Sequence, residues 1–438
     1  MNPERKELSF WEKDAFAGLW DFVVVGAGVT GLHAAIELKR LKPSLRILLL
    51  ESRPVGAVAS TRNAGFLCLG SPSELAMDRH ALGDQALTEL ISAKWSGIER
   101  TLQLFGGKAL SFKRVQGHEL FVKDDATAFL RSGLERELVL EALPELNRLV
   151  AEAVRLPRPG KSLRRRRSSK HADRTTLPAP YFGAVQALTE GPWGPLAHSL
   201  IPLAWEGQVQ PFVVREALIR YALNLGIRYQ VGATVQAVPA LPLLAAEGPL
   251  PSYELDCSFG DKSLTIKLKN IVCATNALTQ LLLPRPSASE AKAGDTVSPK
   301  RGQMWYTAPL KGSVIRHLQG NFHGDRGYLY FRQAGDRFLL GGGRNVDFET
   351  ESTDAWAENP LITQYLKSYA TQVLGLPEDL PWEGRWSGTM GFTTSGIPVV
   401  QSPGRGVWVV AGMNGMGMAL GPEMGRMVAC RALAEYQG

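Results

Sequence analysis

Cysteine is scarce in this 438-residue chain: Cys68, Cys257, Cys273 and Cys430 are the four, and none shares a C-x-x-C spacing with another. Scattered singly, they suggest neither a zinc site nor a disulfide framework, so they read as reduced thiols and no metal is expected. Long apolar runs are also lacking. No stretch reaches the ~20 residues that a bilayer-spanning helix needs. The opening MNPERKELSFWEKDAF carries acidic residues and has no apolar centre of the kind a secretory signal requires. A cytoplasmic location is the default expectation.

An excess of one charge is largely confined to one place. The formal net charge is +7, and the stretch 155–174, RLPRPGKSLRRRRSSKHADR, holds nine Lys or Arg against one Asp. Outside it the chain is nearly neutral. Its low apolarity and its Ser, Pro and Gly content read as a solvated loop. The arginine run 164–167 could meet a polyanion or a membrane surface by releasing counterions. The stretch lacks aromatic side chains on which bases could stack, so a nucleic-acid partner is not expected.

The residues that carry information begin at 21, with DFVVVGAGVTGLHAAIELKRLKPSLRILLLE. Phe22 to Val25 read as a short strand buried on both faces. Gly26, Gly28 and Gly31 then fill a GxGxxG pattern, and Leu32, Ala35, Ile36 and Leu38 keep helical spacing until Pro43. A second strand, Ile47 to Leu50, ends on Glu51. The first glycine permits a tight turn, the second lets the backbone approach a pyrophosphate, and the third lets helix and strand pack closely. The phosphate would face the positive end of the helix. Glu51 stands where a carboxylate accepts hydrogen bonds from ribose hydroxyls and repels an extra phosphate, which favours FAD or NAD over NADP.

The next stretch separates those two. SRPVGAVASTRNAGFLCLGSPSE continues with small and polar residues where an NAD domain would resume alternating strands and helices. Its small residues would let backbone amides and hydroxyls reach a second phosphate or an isoalloxazine ring. A matching piece closes the chain, GVWVVAGMNGMGMALGPEMGRMVACRAL. Val407 to Ala411 read as a strand, Gly412 to Gly417 as a glycine turn, and Met418 to Leu433 as a helix. The positive end of that helix would stabilise charge developing on a reduced flavin ring.

Together with GQVQPFVVREALIRYALNLGIRYQVGATV, IVCATNALTQLLLP, KRGQMWYTAPL, YLYFRQAGDRFLLGGGRN and RWSGTMGFTTSGIPVV, these motifs resemble the D-amino-acid oxidase superfamily of FAD-dependent oxidoreductases. That superfamily includes glycine oxidase, sarcosine oxidase and amine oxidoreductases. The resemblance implies an α/β plus α+β fold: a Rossmann-like FAD-binding domain of GR2 type and a substrate domain whose large antiparallel sheet covers the flavin. The expected segments are 1–85, 206–285 and 382–438 for FAD, and 86–205 and 286–381 for substrate. GYLYFRQAGDRFLLGGG agrees, reading as a hairpin around AGD. Segments near 136–205 and 286–299 match poorly.

By the same resemblance FAD is held by Gly26, Gly28, Gly31, Glu51, Ser52, Arg53, Ser60, Thr61, Arg62, Asn63, Ala64, Gly65, Val235, Ala274, Thr275, Gly388, Gly412, Asn414, Gly415, Met416, Gly417 and Met418. Val235 would offer its backbone to adenine. The implied reaction removes a hydride from a carbon bearing nitrogen, leaving an imine that water hydrolyses. The substrate would be a secondary amine, a D-amino acid or a related small molecule. Few side chains need act as acids or bases.

Three departures shape the expectations. Glycine oxidase-like members carry a carboxylate-gripping Arg where Met390 stands here, and a thioether cannot bind a carboxylate. Either the substrate has no α-carboxylate or another cation supplies the clamp. Arg332, with Tyr328 and Tyr330 alternating on its strand, is the first candidate, and Arg344 or His323 the next. Gly388 replaces the Cys through which sarcosine oxidase-like members attach FAD, so FAD is expected to dissociate. Leu339 replaces their oxygen-activating Lys, which leaves a quinone or protein as electron acceptor beside oxygen. Cys68 reads as a small buried hydrophobe. Two other functions stay open: an FAD enzyme acting on modified RNA, and a flavin-binding protein with little turnover.

Overall fold

The structure, a computed structural model, describes residues 9–53, 59–123, 133–155, 177–189, 191–238, 252–282, 296–311 and 313–436. Apart from Arg155, the basic stretch lies outside them, as do Gly56 and Ala57. The chain divides into two compact units: Met1–Thr61, Val214–Lys300 and Met390–Gly438 make the first, Arg62–Val213 and Arg301–Thr389 the second. The crossing expected after 85 falls after 61, because Phe66–Leu67 pairs with Ala197–Gln208 in the second unit's sheet.

In the first unit, the apolar runs become central parallel strands. Leu19–Val25 lies between Ile47–Glu51 and Lys262–Cys273, with Arg228–Val231 and Val407–Ala411 pairing parallel outside them. Phe22, Val23, Val24 and Leu48 to Leu50 are fully enclosed. Burial of each such side chain contributes about 1.5–3 kcal/mol. The expected helices are Val29–Leu41 and Gly417–Glu435, and they pack closely because glycine stands at the contact. A Cβ on Gly425 would lie 2.5 Å from Thr30 O, and one on Gly421 2.8 Å from Thr30 Oγ1.

The second unit is built on a mostly antiparallel sheet. Its strand order is Trp382–Thr393, Val297–Thr307, Arg337–Gly342, Leu329–Ala334, Asn321–Gly324, Lys113–Val122, Ala197–Gln208 and Phe66–Leu67. The expected hairpin is present, with Ala334 opposite Arg337 across Gly335 and Asp336. Phe322, Leu329, Phe331, Phe338 and Leu340 form one apolar core with Ile362, Tyr365, Leu366 and Tyr369 of the helix Pro360–Gln372.

The alternate residues have the opposite character. Arg332 is paired with Asn321 and Tyr330 with His323, while Asn321 and His323 lie beside Gly117 and Glu119. Directly paired residues share a face. One face of this sheet is therefore apolar, and the other carries a row of buried polar groups.

Candidate cofactor and substrate sites

The GxGxxG glycines divide their work clearly. Gly26 has φ +102°, and a Cβ there would stand 2.7 Å from Ala274 O; a Cβ on Gly31 would stand 1.9 Å from Gly26 O. Both are needed by the fold. Gly28 has ordinary extended backbone, and its missing Cβ would meet only Ser60 Oγ, at 3.1 Å. It is the glycine that keeps space open. Gly28 also starts the helix Val29–Leu41, which has no acidic residue in its first turn. Ser60 Oγ accepts from Val29 N at 2.9 Å. With Ser60 taking the first amide, the other amides of the first turn stand beside that space, a helix end that suits a pyrophosphate.

Glu51 is buried and held in place from several sides. Its Oε2 accepts from Ala27 N at 3.1 Å and its Oε1 from Arg53 N at 3.0 Å. Arg215, also buried, lies 3.7 Å from Oε2 and donates to Ala27 O at 2.9 Å. A carboxylate has about four lone-pair positions, so acceptor capacity remains for ribose hydroxyls. Ser52 is exposed. Ala233 N donates to Glu51 O, which brings the short strand Thr234–Val235 to this end of the sheet. Ala274 and Thr275 lie against Gly26, as its close approach to both shows.

The C-terminal turn forms a second helix start. No side chain caps Gly417–Glu435, and its first turn carries no acid. Gly412 and Gly415 have φ +75° and +82°. Gly412 N donates to Asn276 Oδ1 at 3.0 Å. Asn414 takes the left-handed conformation, and its side chain accepts from Thr393 N and donates to Gly396 O. It pins the turn to the neighbouring chain segment. Met390 approaches the same turn, its Sδ 3.8 Å from where a Gly415 Cβ would be. Met416 and Met418 flank the helix start.

The rest of the small-residue segment belongs to the second unit. Arg62 donates to Ser387 O, stacks over Trp356 and accepts from the Trp386 indole through its carbonyl. Asn63 Oδ1 accepts from Gly65 N at 2.8 Å in a local turn, beside buried Ala64. Gly65 has φ +77°, with Val209 O 2.4 Å from its missing Cβ. Gly388 sits against Arg62, a Cβ there falling 3.1 Å from Arg62 Cβ.

On the polar face of the second sheet, Arg332 is 7% exposed, and among the described residues no carboxylate pairs with it. One terminal nitrogen donates to Val209 O at 3.1 Å, while the buried Nε has no partner among those residues. Burial lowers the guanidinium to about 10, which still leaves it charged at neutral pH. Next to it on this face, burial raises the Tyr330 hydroxyl to about 12. Arg344 stacks on Tyr328 at 4.8 Å and on Phe348 at 5.4 Å.

His323 is engaged by acids of the chain itself. Its Nε2 is 2.8 Å from Glu206 Oε1, its Nδ1 3.7 Å from Glu74 Oε2, and Phe66 meets its ring edge-on. Burial opposes its charge, but Glu206, Glu74 and Glu119 together hold the imidazolium above its ordinary range. Glu206 Oε2 accepts from Asn321 Nδ2 at 2.8 Å, and Asn321 Oδ1 accepts from Gln208. Burial raises Glu119 to about 7 although Ser71 and Ser73 donate to it.

Sequence reasoning passed over Arg215, Asn276, Glu206 and Asn321. The first two lie inside quoted motifs, where their polarity at an otherwise apolar helix or strand end was the available signal.

The FAD dependent oxidoreductase family, DAO, matches residues 21–431. No curated protein sequence matches the chain. Among solved structures it is similar to L-proline dehydrogenase from P. horikoshii, at 17% identity over 94% of this chain and 92% of that one, with TM-score 0.65. It is also similar to glycine oxidase from Geobacillus kaustophilus, at 18% identity over 95% of each chain, TM-score 0.60. A third is L-alpha-glycerophosphate oxidase from Mycoplasma pneumoniae with FAD bound, at 15% identity over 95% of each, TM-score 0.65. Identities this low speak for the fold alone. No helix among the described residues is long and apolar enough to cross a membrane. With a family match over nearly its whole length, and two helix starts without acidic residues and a buried acid that fit the nucleotide, the chain belongs to the DAO family of FAD-dependent oxidoreductases.

Proposed function

We propose that the protein oxidises a carbon–nitrogen bond of a small carboxylate-bearing amine, such as a secondary or D-amino acid, to an imine that water then hydrolyses. Arg332 carries this reading. A buried guanidinium without an acidic partner costs stability, and a substrate carboxylate would complete it as a paired ion. It takes the place of the clamp missing at Met390. Bound FAD would supply the two-electron acceptor for the hydride. Tyr330 keeps its proton at neutral pH and can hold the substrate by a hydrogen bond. His323 is already engaged by Glu206 and is not assigned to the substrate. Gly388 leaves no side chain for a covalent bond, so FAD is held non-covalently and acid precipitation should release it into the supernatant.

The decisive experiment is anaerobic bleaching of the oxidised flavin band by D-amino acids, N-methyl amino acids, cyclic imino acids and polyamines. Bleaching by a carboxylate-bearing class, and none by polyamines, is the expected result. A flavin that dithionite reduces but no amine does would overturn the proposal in favour of RNA-directed or non-catalytic roles.

A second cation beside the C-terminal turn gives a milder test. Met390→Arg should tighten binding of small α-amino acids by ~10–100-fold, the worth of one charge-assisted pair of about 1.5–3 kcal/mol. Their dissociation constants, read from flavin spectral shifts, would stay unchanged if Met390 is not part of the substrate wall.

A further inference from the structure

We propose that Cys68, Glu206 and His323 bind one divalent transition-metal ion, zinc by the chemistry of its ligands, within the second unit. Sequence spacing hides this group, because Glu206 and His323 are 117 positions apart and Cys68 is distant from both. The fold brings them together from Ala197–Gln208, Asn321–Gly324 and the residue after Phe66–Leu67. Their ligand atoms all lie within 4.8 Å of one another and all three residues are buried, the one such group among the described residues. A thiolate, an imidazole and a carboxylate are together a zinc set, since sulfur disfavours magnesium and calcium.

The surroundings are those of held ligands. Glu206 reaches His323 across the intervening strand Lys113–Val122 only because residue 117 is glycine: a Cβ there would fall 2.6 Å from Glu206 Cδ. Asn321 fixes the second Glu206 oxygen, and Glu74 faces the second nitrogen of His323. Metal-binding imidazoles and carboxylates typically have such outer partners, which orient them.

Charge balances as well: a thiolate and a carboxylate offset the two positive charges of the ion and a neutral imidazole adds none, so the occupied site would carry no net charge. The imidazole and carboxylate must part slightly from 2.8 Å to admit the ion between them. With three protein ligands, the fourth position is left to water or a small ligand.

The test uses purified, FAD-loaded full-length protein incubated with zinc chloride, gel filtered, and examined by elemental analysis and zinc-edge X-ray absorption. About one zinc per chain is expected, with one sulfur at ~2.3 Å and nitrogen or oxygen at ~2.0 Å. Cys68→Ala should abolish the sulfur shell. Asn321→Ala, which removes no zinc ligand but frees Glu206 and the Gln208 amide, should weaken zinc ~10–100-fold while FAD is retained. Failure to retain zinc, or a shell of nitrogen and oxygen alone in the wild-type protein, would overturn the site, and the latter holds even if the variants do not fold. Neither result depends on which amine reduces the flavin.

Discussion

Gly28→Val should give a folded protein that has lost its yellow colour. The prediction rests on the contrast among the three glycines. Substitution at Gly31 drives a Cβ to 1.9 Å from Gly26 O, and at Gly26 it adds a left-handed backbone to a 2.7 Å contact, so both would disrupt the strand-to-helix turn itself. At Gly28 the backbone is compatible with valine, and the one close neighbour is a serine hydroxyl. The added methyl groups would instead fill the space before the helix end. Losing two charge-assisted bonds to pyrophosphate at ~1.5–3 kcal/mol each would weaken FAD by ~10²–10⁴-fold. The measurement is the FAD-to-protein ratio after gel filtration, with circular dichroism confirming the fold. A variant that keeps stoichiometric FAD would refute the assignment of Gly28 to the pyrophosphate.

The same contrast shows which parts of the molecule its sequence makes legible. The nucleotide cradle is built by consecutive residues, so strand, glycine turn, helix and Glu51 are visible as a periodic pattern with fixed spacing. Val407–Ala411 and the helix after it are legible for the same reason. Alternation along Leu329–Ala334 also places Tyr330 and Arg332 on one side of a strand. It cannot tell what lies across from them. Glu206, Asn321, Gln208 and Gly117 come from three strands whose neighbours are set by sheet order, and the parallel pairing of Asn321–Gly324 with Lys113–Val122 has no local signature. Cysteine spacing likewise reports metal sites only when the ligands are close in sequence. His323 illustrates the difference: alone it reads as a candidate substrate contact, and only the fold reveals carboxylates facing both of its nitrogens.

Arg332→Leu should slow reduction of the flavin by carboxylate-bearing amines at least ~30-fold without destabilising the protein. These two outcomes together separate a clamp from a structural salt bridge. A structural arginine would have an acidic partner, and its loss would strand a buried carboxylate at a cost of about 3–5 kcal/mol. Among the described residues Arg332 has none, its Nε is unsatisfied, and its one bond is to the Val209 carbonyl. Leucine at that position removes a desolvated charge, so Tm should hold or rise, as expected where stability has been yielded to binding. The chemical step should suffer instead. Removing a buried ion pair with substrate costs ~2–5 kcal/mol, a fall of ~30–5,000-fold in kcat/KM. Arg332→Lys keeps the charge but loses the planar fork and should recover only part of that. Added guanidinium should partly rescue Arg332→Ala, a readout that a packing role would not move. Unchanged bleaching rates in Arg332→Leu, or a sharply lower Tm with those rates unchanged, would remove the clamp from this residue.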